Sequence, residues 1–386
     1  MDFEFATAQR IIFHPGSLAK IGEIVAGLGQ RALVVTHFSV DDSLLQRLCY
    51  LLDEAGLERV IFSILGEPTV TSIQNGLDLA KNERCDLVIG FGGGSSIDSG
   101  KAVAALVSNQ GNVLDYLEVI GRGRLLINAP LPYIAIPTTA GTGAEVTRNA
   151  VIGSPDHHIK VSLRSPLMIP KFALIDPELT YSLPPEVTAY TGVDALAQLI
   201  EPFVCKAPNP LVDAFCRDGI PRAAIALPRC FHHPDDHQAR ADMSLASLLS
   251  GLALANAKLG AVHGFAGPIG GMCFAPHGAI CARLLPIVVK MNLSALLVRS
   301  QDNPALERYR EIACLITGDD RARFQDLVDW LYHLRADLRI PSLSEYGLEQ
   351  ADLGVLIASA RQSSSMKGNP IMLLDEELKE IIHEAL

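Results

Sequence analysis

The hydrophobic pattern changes character about halfway along the 386-residue chain. In the first half, short runs rich in β-branched residues alternate with amphipathic stretches. The runs are RALVVTHF, RVIFSIL, CDLVIGFGGG, PYIAIPTT and KFALIDP. Several of them are apolar throughout, which is typical of parallel strands covered by helices on both faces. The pattern therefore predicts an N-terminal α/β domain built on a doubly wound, mostly parallel sheet.

The second half predicts a different architecture. After Ser182 the strand-like runs fade, and apolar residues recur three and four positions apart, as in RFQDLVDWLYHLRADL. This spacing predicts amphipathic helices. Proline resists helix continuation and pushes its predecessor toward extended geometry, so the Leu183-Pro184-Pro185 step predicts a boundary. We therefore predict an α/β domain at residues 1–182 and an all-helical domain at residues 183–386.

Composition and charge narrow the classes of function. The formal net charge of -11 disfavours a nucleic-acid binder, because such proteins neutralise phosphates with clustered Lys and Arg. The start, MDFEFATAQR, lacks the pattern of a secretory signal and predicts a cytoplasmic protein. Residues 259–282 contain no Asp, Glu, Lys or Arg, but two His, two Pro and six Gly argue against a membrane span. The eight cysteines form no C-x-x-C pair, which favours reduced, buried thiols.

The strongest local motif is LVIGFGGGSSIDSGK, which starts at Leu87. It places three glycines between a strand and the start of a helix, where backbone N–H groups and the positive end of the helix can hold a phosphate. The P-loop pattern is not met, because Ser95 and Ala102 stand where Gly and Ser or Thr belong. An ordinary tight turn is the alternative interpretation.

A second motif, IPTTAGTGAEVT from Ile136, brings hydroxyl groups and glycines directly after another strand. Such a segment can contact a ribose and a nicotinamide ring. Its alternative interpretation is a structural turn capped by threonines.

Four segments together resemble the iron-containing alcohol dehydrogenase family: GFGGGSSIDSGK, IPTTAGTGAEVTRNAVI, GVDALAQLIEPFV and GAVHGFAGPIGGMCFAPHGAICARLLP. The resemblance covers roughly residues 10–290. It implies a dehydroquinate synthase-like fold, with a dinucleotide-binding N-terminal domain and a helical domain for metal and substrate. It also implies a homodimer that moves a hydride between NAD or NADP and a small alcohol or carbonyl compound in the interdomain cleft.

The resemblance assigns the cofactor contacts. These are Gly93, Gly94, Ser95, Asp98, Thr138, Thr139, Thr147 and Lys160. His37 stands where the family commonly has an Asp that contacts the adenosine ribose. An Asp there would repel the 2′-phosphate of NADP, so His37 leaves both NAD and NADP as expected cofactors.

The resemblance also assigns a site for iron or zinc. Asp194, His263 and His277 match three ligands, whereas Gln198 stands where the family has a histidine. The spacing of four residues puts Asp194 and Gln198 on one helical face, but an amide oxygen is a weaker donor than imidazole. Gly267 also replaces a histidine that the family usually has near the reacting carbon.

These changes leave several functions open. In one, Asp194, His263, His277 and a weakly bound Gln198 hold a metal that polarises the substrate oxygen. In a metal-free version, His263, His277 or Lys160 supplies the charge or proton, which resembles maleylacetate reductases that act on oxo acids. The remaining alternatives are a dehydroquinate synthase-like lyase and a nucleotide-binding protein without turnover.

Overall fold

A computed structural model describes residues 3–157 and 159–386. The chain divides into two compact units. The α/β unit comprises Ala6–Ser182, and the helical unit comprises Leu183–Leu386 together with residues 3–5.

The α/β unit contains eight strands and five α-helices within its described residues. The strands are β1 (Arg10–Phe13), β2 (Arg31–His37), β3 (Glu58–Ile64), β4 (Leu87–Gly92), β5 (Tyr133–Pro137), β6 (Asn149–Ser154), β7 (Ile159–Arg164) and β8 (Phe172–Ile175). The helices are α1 (Ile21–Val25), α2 (Asp42–Glu54), α3 (Val70–Asn82), α4 (Gly94–Val107) and α5 (Val113–Tyr116). Six strands form one parallel sheet, and β6 and β7 form a separate antiparallel hairpin.

The strand order of the main sheet is β1-β8-β5-β4-β2-β3. From β2 the chain moves outward to β3, and it then returns to the other side of β2 to continue with β4 and β5. The order therefore reverses between β2 and β4, and in doubly wound sheets ligands bind outside the carboxyl ends of the strands at such a point. His37 ends β2 and Gly92 ends β4.

Apolar packing on both faces explains why the strands read as continuous hydrophobic runs. On β2, Leu33 and Val35 belong to one core cluster, whereas Ala32 and Val34 belong to the cluster on the opposite face. All four side chains are fully buried.

The helical unit contains nine α-helices within its described residues. They are α6 (Pro185–Val204), α7 (Pro210–His232), α8 (His237–Asn256), α9 (Ala261–Met272), α10 (His277–Arg299), α11 (Ala305–Thr317), α12 (Phe324–Asp337), α13 (Leu353–Gln362) and α14 (Asp375–Ala385). Among the described residues only α10 is by itself long and apolar enough to cross a membrane, and 78% of its apolar window is buried inside the protein. Helices α8 and α9 pass the same test only as a pair that is bent by 92°. A mostly buried α10 is typical of a core helix.

The predicted fold class is confirmed. The five predicted runs form β2, β3, β4, β5 and β8, and the described residues after Ser182 form helices and turns without strands. The pattern did not predict β1 or the β6–β7 hairpin.

Candidate functional site

The glycine motif lies between β4 and α4, as its sequence predicts. Gly92 has φ +146°, a backbone conformation that favours glycine, and a side chain at this position would collide with Ser96. A Cβ atom on Gly94 would lie 2.8 Å from Thr142 Cγ2. Gly93 is the N-cap of α4 and has no side chain to pair with the first N–H groups of the helix. The loop therefore offers backbone donors to an anion at the strand-order reversal.

Two of the predicted cofactor contacts belong to a buried network around Lys101. Lys101 is 1% exposed. Its ammonium donates to Thr147 Oγ1 at 2.9 Å and to the carbonyl oxygens of Ala144 and Asn149 at 2.8 and 2.7 Å. Asp98 pairs with Lys101 and accepts the N–H of Val151 at 2.9 Å. Asp98 and Thr147 thus tie α4 to the following loop and to β6. The sequence predicted both residues only as cofactor contacts and did not predict that they bind Lys101.

The threonines after β5 lie beside the glycine loop. The backbone N–H of Thr138 donates to the carbonyl oxygen of Gly92 at 2.9 Å. A Cβ atom on Gly93 would lie 3.3 Å from Thr139 Cγ2. The structure therefore brings Thr138, Thr139 and the loop of Gly93, Gly94 and Ser95 together.

His37 is held as an uncharged imidazole at the end of β2. Its Nε2 accepts the backbone N–H of Gly66 at 3.0 Å, and its Nδ1 lies 2.6 Å from Ser39 Oγ. Burial lowers the pKa of His37. A neutral side chain neither repels nor attracts a 2′-phosphate.

Lys160 lies on β7 of the α/β unit, and its ammonium forms an ion pair with Glu67. The predicted metal residues all lie in the helical unit.

In the helical unit, one side chain from each of two helices and two from a third form a compact donor cluster: Asp194 on α6, His263 on α9, and His277 and Cys281 on α10. One donor atom from each residue lies within 4.8 Å of all the others. Asp194 Oδ1 is 3.3 Å from His263 Nε2 and 3.8 Å from His277 Nε2. Cys281 Sγ is 3.6 Å from His277 Nε2 and 3.9 Å from His263 Nε2.

Glu201, seven residues after Asp194 on α6, orients His263. Its Oε2 lies 2.6 Å from His263 Nδ1, and its Oε1 accepts the backbone N–H of Val262 at 2.7 Å. A carboxylate at this distance fixes one imidazole proton on Nδ1, so a bound cation would take the lone pair of Nε2. The second imidazole nitrogen of His263 is therefore prepared to bind a cation.

Gln198, predicted as a weak ligand, has both ends of its amide in hydrogen bonds. Its Nε2 donates to Asp194 Oδ2 at 3.0 Å, and its Oε1 accepts from Ser250 Oγ at 3.1 Å. The amide therefore faces the carboxylate with its nitrogen, which cannot bind a metal. In this structure Gln198 positions Asp194 instead of acting as a donor to the cluster.

The charges of the cluster favour a cation. Burial alone lowers the pKa of His277, but Cys281 and Asp194 outweigh it and raise the pKa to about 9. Burial likewise opposes the charge on His263, yet Cys281 and Glu201 hold its pKa well above the usual value. Burial raises the pKa of Asp194, and the two imidazoles, His277 first, bring it below the usual value.

The donor set fits the divalent metal that the sequence predicted. Asp194 is 1% exposed, and its Oδ1 receives no hydrogen bond from any described residue. A buried carboxylate oxygen without a donor is costly unless a cation or a water compensates it. Carboxylate, imidazole and thiolate are the ligands that zinc and related ions prefer.

Two residues of this site were missed in the sequence. Cys281 follows His277 by four positions, which places both on one helical face, but it was interpreted only as a buried thiol. Glu201 follows Gln198 by three positions on the face that already carries Asp194. The i, i+3 and i, i+4 spacings were the available signal for both.

Comparisons with known proteins identify the family of the chain. The model described as "Iron-containing alcohol dehydrogenase" matches residues 8–177, and "Fe-containing alcohol dehydrogenase family, C-terminal" matches residues 188–386. The chain is 34% identical to choline dehydrogenase of Bacillus subtilis, over 92% of this chain and 88% of that protein. It is 31% identical to NAD-dependent methanol dehydrogenase of Bacillus methanolicus, over 96% of each.

A solved structure shows the same fold over the whole length. The crystal structure of a 1,3-propanediol oxidoreductase superposes with a TM-score of 0.92 at 30% identity and covers 100% of both chains. With both family models matched, the chain belongs to the iron-containing alcohol dehydrogenase family and is an oxidoreductase of the alcohol dehydrogenase type.

Proposed function

We propose that this protein is a metal-assisted, NAD(P)-linked dehydrogenase that interconverts a small alcohol and its carbonyl compound. The donor cluster in the helical unit is the observation that supports it most directly. Three of its members, Asp194, His263 and His277, are the residues that the family resemblance assigns to the metal. Their donor atoms converge around a carboxylate oxygen that has no hydrogen-bond donor among the described residues.

A divalent metal bound there would supply Lewis acidity toward the substrate oxygen, and a nicotinamide ring would take up or release the hydride. The protein's own part is to fix the donors. Glu201 keeps the proton of His263 on Nδ1, and Gln198 occupies Asp194 Oδ2 so that Oδ1 stays turned toward the histidines. His263 and Asp194 are buried, whereas the side chain of His277 is 38% exposed. His277 is therefore the more solvent-accessible of the two histidines.

Features of the α/β unit support the proposal that the cofactor is a nicotinamide dinucleotide. Its glycine loop follows β4 at the strand-order reversal, where the N-terminus of α4 can hold a pyrophosphate. The uncharged His37 ends the neighbouring strand and supports the use of both NAD and NADP.

A small alcohol is the proposed class of substrate. The relatives described above are named for choline, methanol and 1,3-propanediol, which differ in size and charge but share a hydroxyl group on a short carbon skeleton.

Elemental analysis of protein purified without chelator tests the proposal when it is coupled to an alcohol oxidation assay with NAD and with NADP. We expect about one divalent ion per chain, loss of activity on chelation and recovery when the ion returns. Full activity in protein that contains no metal would contradict it.

One observation favours a second candidate, a metal-independent reductase of oxo acids. The amide of Gln198 is already satisfied by Asp194 and Ser250 without an ion. In that case the raised pKa of His277, about 9, keeps an imidazolium available to donate a proton to a developing alkoxide. Reduction of an oxo acid by chelated, metal-free protein would establish this alternative.

A further inference from the structure

Cysteine is a common metal ligand, and Cys281 lies at a position to which the family resemblance assigned no ligand. It lies on α10 one helical turn after His277, is fully buried, and turns Sγ toward the same point as the two imidazoles. The chain has thus lost an imidazole at position 198 and has a thiol at the cluster.

Two distances within the cluster match those of a four-coordinate site, and two more are slightly longer. A tetrahedral ion with about 2.3 Å to sulfur and about 2.0–2.1 Å to nitrogen or oxygen places nitrogen and oxygen donors about 3.3 Å apart, and sulfur and nitrogen about 3.6 Å apart. The separation of Asp194 Oδ1 and His263 Nε2 is 3.3 Å, and that of Cys281 Sγ and His277 Nε2 is 3.6 Å. Asp194 Oδ1 and His277 Nε2 lie 3.8 Å apart, and Cys281 Sγ and His263 Nε2 lie 3.9 Å apart. Both pairs would approach by about 0.3–0.5 Å around such an ion.

Gln198 does not compete for the fourth position. To present its oxygen to an ion, its amide would have to turn away from both Asp194 Oδ2 and Ser250 Oγ. Those two hydrogen bonds are buried, so breaking them leaves polar groups unsatisfied. Cys281 needs only to lose a proton.

We propose that Cys281 is the fourth protein ligand of the metal and takes the coordination place that the family fills with a histidine at position 198. On binding, the thiol releases its proton to solvent and the thiolate forms a bond to the divalent ion, with no change of oxidation state. The resulting set of one carboxylate, two imidazoles and one thiolate suits zinc or cobalt better than ions that prefer oxygen ligands. This inference rests on the proposed function, because it requires a metal at the cluster.

Cobalt substitution tests the inference without relying on catalysis. Chelated, folded protein is titrated with Co²⁺ while its absorption spectrum and bound cobalt are measured. We expect one cobalt per chain and a near-ultraviolet thiolate-to-cobalt charge-transfer band, and we expect bound zinc to abolish that band by competition. This titration uses the unmodified protein and needs no variant.

Variants then identify the sulfur. Cys281→Ser and Cys281→Ala should lose the charge-transfer band and bind cobalt at least about tenfold more weakly, whereas Cys230→Ala should keep both. Cys230 is a matched control, because it is a fully buried cysteine outside the cluster. Circular dichroism confirms that each variant is folded.

The outcomes separate this inference from the proposed function. One cobalt bound by the unmodified protein without a charge-transfer band would overturn the role of Cys281 and leave a metal-assisted enzyme. A band that persists in Cys281→Ala would likewise overturn it. No cobalt or zinc binding by the folded protein would overturn both proposals.

Discussion

At the end of β4 the α/β unit presents glycines and backbone N–H groups, whereas in the helical unit the side chains of three helices bring their donor atoms together. The first region works by leaving space: side chains on Gly92 and Gly94 would collide with Ser96 and Thr142. The second works by side-chain identity, since a carboxylate, two imidazoles and a thiol sit within 4.8 Å of one another. Substitutions should therefore act in opposite ways in the two regions. Removing atoms should damage the helical site, and adding atoms should damage the loop.

The largest effect is expected at the carboxylate of the donor cluster. Asp194→Asn keeps the shape of the side chain but removes the charge that faces His263 and His277. Without a bound ion the substrate oxygen would lose its electrostatic stabilisation, and loss of one such group typically lowers kcat roughly 10²–10³-fold. We expect a loss of this size together with loss of bound metal, measured by steady-state kinetics and elemental analysis. Asp235→Asn, at an exposed acid, is the control, and a variant with full metal content and activity would exclude Asp194 as a ligand.

Glu145 sharpens the comparison, because it is a buried acid of the α/β unit that interacts electrostatically with Lys101. Burial raises its pKa to about 7, although Lys101 opposes the shift. Glu145 holds its proton more tightly in the folded state than in the unfolded state. This difference stabilises the folded protein fully at pH values below the pKa of Glu145 in the unfolded chain, and the stabilisation is lost as the pH rises through about 7. Glu145→Gln should therefore stabilise the protein by about 3 kcal/mol at pH near 8 and by much less at pH near 5.

Thermal unfolding of both proteins across this pH range measures the difference. Equal changes in Tm at the two ends of the range would show that Glu145 does not carry the raised pKa.

The next effect concerns the group that orients a ligand. Glu201→Gln removes the charge that fixes the proton on His263 Nδ1, and changes to such outer partners typically cost about 10–100-fold in metal affinity or activity. We expect a weaker metal affinity in this range, measured by competition with a chelating dye, and activity that recovers at high metal concentration. Unchanged affinity would assign Glu201 to fold stability alone.

In the glycine loop, Gly94→Ala should weaken the cofactor site by adding one methyl group 2.8 Å from Thr142 Cγ2. Overpacking of this kind typically costs about 1–3 kcal/mol of free energy in the packed conformation. We therefore expect NADH and NADPH to bind at least roughly tenfold more weakly, as measured by fluorescence titration. Gly22→Ala on α1 is the control, because it also adds one methyl group to the α/β unit but outside the glycine loop, with Ala55 Cβ at 3.3 Å as its only neighbour within 4 Å among the described atoms. The two variants should differ clearly in cofactor affinity.

The smallest expected effect distinguishes the two cofactors. His37→Asp restores a negative charge at the end of β2 and should lower the preference for NADP over NAD by about tenfold, which corresponds to about 1.4 kcal/mol of like-charge repulsion. His37→Asn is the uncharged control. Ratios of kcat/KM for the two cofactors measure the change, and an identical ratio in all three proteins would place the ribose phosphate away from residue 37.

Periodicity predicted the parts of the fold whose burial is regular. The run around Val34 and Val35 reads as a strand because both sheet faces are covered. β1 is only four residues long, and Pro155 interrupts the apolar pattern between β6 and β7, so neither gave a clear signal. The helical half was easier to predict, because its helices repeat the same spacing over many turns.

The site was predictable only where single residue types carry chemistry. Asp194, His263 and His277 were identified, but the orientation of the Gln198 amide depends on Ser250, which lies 52 residues further along the chain. Cys281 joins the donor cluster because α6, α9 and α10 converge, and the residue spacing within one helix cannot predict that convergence. Asp98 and Thr147 were assigned to a cofactor, yet a buried lysine uses both.

The most direct test of the donor cluster is anomalous X-ray diffraction from crystals of zinc-loaded protein, measured on both sides of the zinc absorption edge. We expect one strong peak about 2.0–2.3 Å from Asp194 Oδ1, His263 Nε2, His277 Nε2 and Cys281 Sγ. A peak bound to Gln198 with Cys281 Sγ more than about 3 Å away would contradict the thiolate ligand. Absence of any peak in the helical unit would contradict the metal-assisted mechanism itself.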